Sequence, residues 1–409
     1  MHGSQPNLMR RSQLRTAAVL AAVFCLTLPA AYLLRDAYAA TILRQAGELL
    51  ATDKIASRQQ ASQALYGSAL FEDDTQYKLD LVRERRPEIL ALGSSRALQF
   101  RSEFFRVEFA NAGRAMNAIE HGAAFVDELL KVHTPRTVIM TVDLWWLNDA
   151  RKYKGERARR LEDTSKLTST FWGFVNDRKI TKLQTVQAFL GDLSNPISSR
   201  SSIGIAALAR GRGYRPDGSR DYGDRYFGLD ASFDDVRFET SMRRARRGGT
   251  LLSHGETISR EHLTALENLL QRFRLHNVSV IVVLPPLAAG LLDYLNASGK
   301  FRYMDEARQA LRQLSVPVFD FTDPRTLDAR DCEFADALHA GDIIYQRMLA
   351  EMTSAGLLRD EIDLQVIKAN IANYAGHALT PMPDDGYKRT ETDFLQIGCV
   401  KTPRTLIAP

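Results

Sequence analysis

Two short segments far apart in the chain carry residue types suited to acyl-transfer chemistry. The first is an apolar run, residues 89–92, that leads directly into Gly-Ser-Ser-Arg at 93–96, and the second is Asp-Ala-Leu-His at 336–339. A serine hydroxyl needs a base to become a nucleophile, and a histidine oriented by a carboxylate can serve as that base. This order of residues predicts a triad in which Ser95 attacks, His339 accepts its proton and Asp336 orients the imidazole.

Each segment also has an interpretation without chemistry. Ser94 or Ser95 could cap a short helix after the strand, and Asp336 with His339 could form a capping pair on a loop. Among the eight histidines, His339 is the best placed because a carboxylate lies three residues before it. The two interpretations differ in whether Ser95, His339 and Asp336 meet in the folded chain.

The segments between the two motifs predict the elements that position them. Short apolar runs typical of buried strands occur at 88–92, 109–113, 138–142, 278–284 and 316–321. Helical patterns lie between these runs, so we expect βαβ units and an α/β protein with a mostly parallel sheet. Ligands bind such sheets at the carboxyl ends of the strands, and Ser95 stands at the end of the first strand.

Changes in composition predict the domain organisation. Residues 1–36 form a cytoplasmic stub and an apolar run, 37–85 a helical linker, 86–356 the catalytic domain and 357–409 a C-terminal tail. Residues 150–255 are rich in Arg, Gly, Ser and Asp and interrupt the alternation of strands and helices. We therefore expect an insertion after the third strand.

The apolar run near the N-terminus predicts export. Residues 16–34 carry no charge and follow Arg10, Arg11 and Arg15, which favours a single membrane-spanning helix with its N-terminus in the cytoplasm. A signal peptide cleaved after residues 37–39 is the alternative. Both interpretations place residues 40–409 outside the cytoplasm, and the periplasm is the favoured compartment.

Composition excludes some classes of function and suggests one covalent link. The 409 residues carry a net charge of +5, too small and too dispersed an excess to indicate a nucleic-acid partner. Cys332 and Cys399 lie in the exported part, where disulfides persist, and a bond between them would tie the tail to the catalytic loop. Two free buried thiols are the alternative. No Cys/His spacing predicts a metal site, and the predicted triad requires no cofactor.

The motifs resemble those of the SGNH (GDSL-like) hydrolase superfamily. Gly-Ser-Ser at 93–95 stands where that family has Gly-Asp-Ser, which gives Ser95 the place of the nucleophile, and 336–339 matches the terminal Asp-x-x-His. The resemblance implies a three-layer sandwich around the parallel sheet. The anchor and the Gly-Ser-Ser turn are similar to those of a membrane-anchored branch that includes the D-alanyl transfer protein of teichoic-acid systems and acetylation proteins of exopolysaccharide systems.

The resemblance also implies an oxyanion hole, formed by the Ser95 amide and the loop after Asn111. Asn-Ala-Gly at 111–113 looks like the second block of the family, with Gly113 in it, and the family's glycine falls near Ala115 or Met116. The third block, Gly-x-Asn-Asp, is replaced by DLWWLND at 143–149. Asn148 would supply an amide donor there only if the loop is reshaped.

The function implied by the resemblance is an exported acyltransferase or esterase that modifies a cell-surface or exported polysaccharide or a glycolipid. Relatives in that branch often work beside a membrane-bound O-acyltransferase, which implies such a partner. The alternative is a non-catalytic scaffold or carbohydrate-binding subunit of a polysaccharide O-acylation complex, favoured by the altered third block. Arg96 could bind an anionic group of the substrate or pair with a carboxylate, and the sequence leaves both open.

Overall fold

A five-stranded, fully parallel sheet forms the centre of the protein. The computed structural model describes residues 30–69, 74–151, 164–176, 199–229 and 235–401, together with Thr27 and Val186. The strands of the sheet are β1 (Ile89–Gly93), β2 (Phe109–Gly113), β3 (Thr137–Thr141), β4 (Ser279–Leu284) and β5 (Val318–Asp320). Every position of β1, β2 and β3 is buried, as expected when helices cover both faces of a parallel sheet. The predicted α/β class is confirmed.

Helices surround this sheet in an arrangement consistent with a three-layer sandwich. The described helices cover residues 30–45, Thr52–Ser62, Asp74–Arg85, Ile119–Val132, Thr164–Asn176, Ile205–Arg210, Glu239–Arg247, Arg260–Leu275, Ala289–Ala297, Tyr303–Leu311, Asp342–Ser354 and Leu364–Tyr374. The helix Ile119–Val132 packs against Asp74–Arg85 and Arg260–Leu275, and Asp342–Ser354 packs against Leu364–Tyr374. Buried apolar side chains of these helices and of the strands form one continuous core.

The strand order creates a crevice at the carboxyl edge of the sheet. The order is β2-β1-β3-β4-β5, so the chain leaves β1 toward β2 on one side and later continues through β3 on the other. The loops after β1 and β3 therefore diverge, and ligands of doubly wound sheets bind in this kind of crevice. Ser95 follows β1 and Asp143 follows β3, which places both residues at this point.

A glycine is required where β1 runs closest to β3. A Cβ on Gly93 would collide with Thr141 Oγ1 and lie 3.1 Å from the Cβ of the same residue. We expect Gly93→Ala to lower the free energy of unfolding by roughly 1–3 kcal/mol, because the collision forces the two strands apart. Denaturant unfolding measures this loss. Thr141→Ala in the same chain should restore part of it, and a double variant no more stable than Gly93→Ala would contradict the explanation.

The segment predicted as a helical linker is an integral part of the fold. Residues 37–85 are largely helical, but Leu65–Tyr66 pairs with strands of the insertion in a second, four-stranded sheet. The Tyr66, Tyr77 and Tyr214 rings pack together there: Tyr77 stacks on Tyr214 with the centroids 5.3 Å apart, and the Tyr66 ring is tilted against Tyr77 at 4.8 Å. The strands of this small sheet are Leu65–Tyr66, Ser202–Ile203, Gly213–Tyr214 and Arg220–Asp221. Aromatic packing thus joins the linker to the insertion.

The region after 357 is also folded onto the domain. Leu364–Tyr374 is a helix, and Asp385 beyond it forms an ion pair with the fully buried Arg101, at 3.0 Å. Arg101 also pairs with Asp342 at 3.2 Å, at the start of the helix that follows His339. A buried charge is tolerated only when it is paired in this way. Residues 377–401 are therefore fixed against the carboxyl edge of the sheet, and 402–409 lie outside the described residues.

A disulfide joins Cys332 to Cys399, with the Cα atoms 5.7 Å apart. Because the two cysteines are 67 positions apart, we expect Cys332→Ser to lower the free energy of unfolding by roughly 2–4 kcal/mol. Both thiols should resist alkylation in the native protein and become reactive only after reduction. Immediate labelling of both cysteines in the native protein would contradict this prediction.

The predicted membrane anchor lies mostly outside the described residues. Helix 30–45 begins with exposed apolar side chains, Tyr32, Leu33 and Leu34, and buries Ile42 and Leu43 further along. These buried residues pack with Phe171 and Ile205 of the insertion. Among the helices in the described ranges, none is long and apolar enough to cross a bilayer.

Candidate active site

The structure brings the three predicted triad residues together. Ser95 Oγ lies 2.8 Å from His339 Nε2, although the two residues are 244 positions apart. His339 Nδ1 lies 2.8 Å from Asp336 Oδ1 and 2.9 Å from Oδ2. Each of the three side chains is half-buried; Ser95 follows β1, and Asp336 and His339 lie on a hairpin after β5. This is the geometry in which a serine, its base and an orienting carboxylate act as a unit.

A tight hairpin holds His339 against Asp336. The short strands Phe334–Asp336 and His339–Ala340 pair with each other. Asp336 Oδ1 also accepts hydrogen bonds from the main-chain N–H groups of Leu338 and His339, at 3.0 and 2.9 Å. The same carboxylate therefore caps the turn and orients the imidazole, so the capping and the catalytic interpretations of this motif are compatible.

The surroundings of Asp336 keep its carboxylate ionised. Burial by itself raises the pKa of Asp336, but His339, the Arg225 guanidinium and the Leu338 N–H outweigh it and hold this pKa well below its usual range. Arg225 Nη1 lies 3.5 Å from Asp336 Oδ2. An ionised carboxylate at this position stabilises the imidazolium that forms when His339 takes a proton.

The turn after β1 presents Ser95, rather than Ser94, to the base. Ser94 is buried, and its Oγ accepts a hydrogen bond from the Arg96 N–H at 3.1 Å, so this side chain acts as the helix cap. Ser95 begins the short 3-10 helix Ser95–Ala97. Among the described residues, no acceptor binds the main-chain N–H of Ser95. This N–H is therefore available to an oxyanion formed at the serine.

Arg96 is buried and pairs with a carboxylate, which is one of the two alternatives that the sequence left open. Its Nη1 donates to Asp143 Oδ1 at 2.9 Å, and the Trp145 ring centroid lies 4.9 Å from its Cζ. The guanidinium also donates to the carbonyl oxygens of Leu338, Pro285 and Pro286, at 2.9, 2.6 and 2.8 Å. It therefore joins the loops after β1, β3 and β4 to the Asp336–His339 hairpin and positions the triad, and its contact with substrate stays a prediction.

The residues that resemble the second block of the family form hydrogen bonds within the turn that follows β1. Asn111 is buried and donates to the carbonyl oxygens of Ala97 and Phe100, at 2.8 and 2.9 Å. The Gly113 N–H donates to Asn111 Oδ1 at 2.8 Å, and the Met116 N–H donates to the Gly93 oxygen at 3.1 Å. These residues fix the turn that carries Ser95. These donors of Asn111, Gly113 and Met116 are engaged within the turn, and a role of the three residues toward an oxyanion or substrate stays a prediction.

Asn148 is likewise not at the site. Its side chain is fully buried, donates to the Ser253 oxygen at 3.0 Å and accepts from the Ala150 N–H at 3.0 Å. A bridge between Asn148 and Ile258 directs this loop toward the end of the insertion. These contacts engage the Asn148 amide, and its role as an amide donor to a substrate stays a prediction.

The insertion supplies residues that sequence reasoning missed. Tyr222 lies beside His339, with the ring centroids 6.3 Å apart, and the Arg225 guanidinium lies 5.2 Å from the centroid of the Tyr222 ring. Asp235 Oδ2 accepts a hydrogen bond from the Ala337 N–H at 3.0 Å and supports the Asp336–His339 hairpin. Their charged and aromatic side chains stand in an Arg- and Asp-rich stretch with no recognisable motif, so the sequence offered no signal for them.

Fold and site together define a doubly wound α/β protein with a Ser-His-Asp arrangement at the switch point of its sheet. Within the described ranges, no group of three or more His, Cys, Asp or Glu side chains could hold a metal ion. No protein-family model matches the chain, and no curated protein or solved structure matches it.

Proposed function

We propose that this protein is a serine acyltransferase or esterase, similar to the SGNH hydrolases, that modifies a cell-surface or exported polysaccharide. The observation that carries the proposal is the chain of contacts from Ser95 Oγ through His339 to Asp336, each 2.8 Å long. A cap or a packed core residue does not need this alignment. A nucleophile with a general base requires it.

The first half of the reaction forms an acyl-enzyme. Ser95 Oγ attacks the carbonyl carbon of the acyl donor while its proton passes to His339 Nε2. The negative charge on the carbonyl oxygen is held by the Ser95 N–H, which lies at the start of a short helix. The bond to the leaving group then breaks, and the leaving oxygen takes the proton from His339.

The second half transfers the acyl group. A hydroxyl of the polysaccharide gives its proton to His339 and attacks the acyl carbon, and Ser95 leaves with that proton restored. Water in place of the sugar hydroxyl gives hydrolysis. The ionised Asp336 stabilises the charged imidazole in both halves, and no cofactor takes part in these steps.

Acyl transfer from a small ester tests the proposal. The purified full chain is incubated with 4-nitrophenyl acetate and an oligosaccharide, and release of nitrophenol and acetylation of the sugar are measured. We expect nitrophenol release well above that of a Ser95→Ala control. Tight binding of the oligosaccharide with no ester turnover would instead identify the scaffold or carbohydrate-binding subunit, which the engaged Asn111 and Asn148 amides favour.

The proposed location is the outer side of a membrane, with residues 16–34 as an anchor and a membrane-bound O-acyltransferase as partner. Such a partner would deliver the acyl group across the membrane to Ser95. We expect a C-terminal reporter that is active only outside the cytoplasm to show activity, and to remain with the membrane fraction. Activity of a reporter that works only in the cytoplasm would contradict this topology.

A further inference from the structure

Residues 220–225 of the insertion form one wall of the crevice that holds the triad. The short strand Arg220–Asp221 and the 3-10 helix Gly223–Phe227 lie on either side of Tyr222. Tyr222 is adjacent to the His339 ring, and Arg225 bridges Tyr222 and Asp336. Arg225 helps to keep Asp336 ionised, but the proposed reaction uses neither Arg220 nor Tyr222, so the position of these two beside the reacting groups calls for a separate role.

The main chain holds this wall rigidly against the turn that carries Ser95. The Arg220 N–H donates to the Leu98 oxygen at 2.9 Å, and Gln99 Nε2 donates to the Arg220 oxygen at 3.0 Å. Leu98 and Gln99 directly follow the 3-10 helix that begins at Ser95. Arg114 lies on the other side of the turn, where its N–H donates to the Ser94 oxygen at 3.1 Å.

The carboxylates around this wall are each engaged by other side chains. Asp336 is held by His339 and Asp74 by Arg114 at 2.7 Å, while Asp221 pairs with Arg215 at 3.2 Å and Asp224 lies 3.5 Å from Arg212. Arg114, Arg220 and Arg225 are each only partly buried. The Arg220 guanidinium has no carboxylate partner among the described residues and lies 5.0 Å from the centroid of the Tyr214 ring. Arg220 is therefore available to an anionic ligand.

Tyr222 adds a neutral donor to these cations. Its hydroxyl makes no hydrogen bond to any described residue, although its ring is buried. Burial, together with Asp336, raises the pKa of Tyr222 to about 12, and Arg225, Arg220 and Arg114 act in the opposite direction. The hydroxyl consequently stays protonated near neutral pH and can donate.

We propose that Arg220, Tyr222 and Arg225, with Arg114, form an acceptor subsite for an anionic saccharide, whose carboxylate or phosphate lies beside Ser95. The inference rests on the proposed function, because it names the acceptor for that site. Guanidinium groups bind carboxylate and phosphate oxygens through paired hydrogen bonds, so either group satisfies the same chemistry. A neutral sugar would leave the Arg220 charge without a partner in a partly desolvated crevice.

Direct binding tests this inference without any turnover. The full chain is titrated with three oligosaccharides of equal length: an oligogalacturonide, a phosphorylated oligosaccharide and a neutral oligogalactose. We expect at least one acidic probe to bind about tenfold or more tightly than the neutral probe, with affinity falling as salt is raised. The acidic probe that binds distinguishes a carboxylate ligand from a phosphate ligand.

Matched variants locate the effect. Arg220→Gln should weaken binding of the acidic probe about tenfold, and Arg220→Lys should weaken it less, because a cation remains. Arg136→Gln is the control, since Arg136 is half-exposed, precedes β3 at the opposite edge of the sheet and pairs with Glu361 at 2.8 Å. It should bind like the wild-type protein, and all variants should keep the wild-type melting temperature within a few degrees.

Two results would overturn the inference. One is equal affinity for acidic and neutral probes, or no binding of either, and the other is an Arg220→Gln variant that binds like the Arg136→Gln control. Neither result would contradict the proposed function, provided that the protein still turns over esters. A protein without esterase or transferase activity that still discriminates acidic probes through Arg220 would overturn the proposed function alone.

Discussion

Replacing Ser95 or His339 by alanine is expected to abolish acyl chemistry with little loss of stability. Because triad members act as a unit, each single variant should lower kcat by a factor of about 10⁶, and the double variant should be no worse than either one. Both side chains are half-buried at the edge of the crevice, so they add little to packing. Initial rates of nitrophenol release and a thermal melt measure the two quantities.

Two neighbouring variants serve as matched controls for the triad. Asp336→Asn should retain more activity than Ser95→Ala or His339→Ala, because Asp336 orients the imidazole and does not bond to the substrate. Ser94→Ala should be milder still, since Ser94 Oγ caps the Arg96 N–H and does not face the base. If Ser94→Ala were inactive and Ser95→Ala active, the assignment of Ser95 as the nucleophile would be contradicted. If all four variants kept full activity, the catalytic hypothesis would fail and the protein would be a non-catalytic scaffold.

Replacing Arg96 is expected to have the largest effect on stability. Arg96→Met leaves the buried Asp143 carboxylate without its partner, and breaking a buried pair in this way costs about 3–5 kcal/mol of the free energy of unfolding. Activity should fall as well, because Arg96 positions the Leu338 carbonyl, one residue before His339. Denaturant unfolding with a linear extrapolation measures the stability.

A second substitution separates the lost pair from lost packing. Arg96→Met combined with Asp143→Leu removes the unpaired charge, so it should recover a substantial part of the stability that Arg96→Met loses. Arg106→Met is the matched control, since Arg106 is half-exposed and its pair with Asp363 spans 3.6 Å. It should change stability by less than about 1 kcal/mol. Equal losses for Arg96→Met and Arg106→Met would contradict the proposed role of the guanidinium.

The sheet and the triad could be predicted because local patterns encode them. The runs 89–92 and 278–284 are apolar over nearly their whole length, and only a strand covered on both faces has that pattern. Asp336 and His339 are three residues apart, so a single hairpin turn is enough to join them. Ser95 needed only the additional rule that ligands gather at the carboxyl ends of parallel strands.

The rest of the site depends on contacts between residues distant in sequence. The internal partners of the Asn111 and Asn148 amides, such as the Ala97 and Ser253 oxygens, are not encoded by any local pattern. Arg96 and Asp143 each end a different strand segment, and nothing in either segment specifies that they pair. The insertion brings Tyr222 to His339 through its pairing with residues 65–66, a contact that no local pattern predicts.

Covalent labelling of the native protein tests the central claim most directly. The full chain is treated with a serine-reactive fluorophosphonate, digested, and analysed by mass spectrometry to locate the phosphonylated residue. We expect one adduct, on Ser95. It should be lost in the His339→Ala variant, because the Ser95 hydroxyl is then no longer activated. An adduct on Ser94 or on a serine outside the crevice, or no adduct on a natively folded chain, would contradict this expectation.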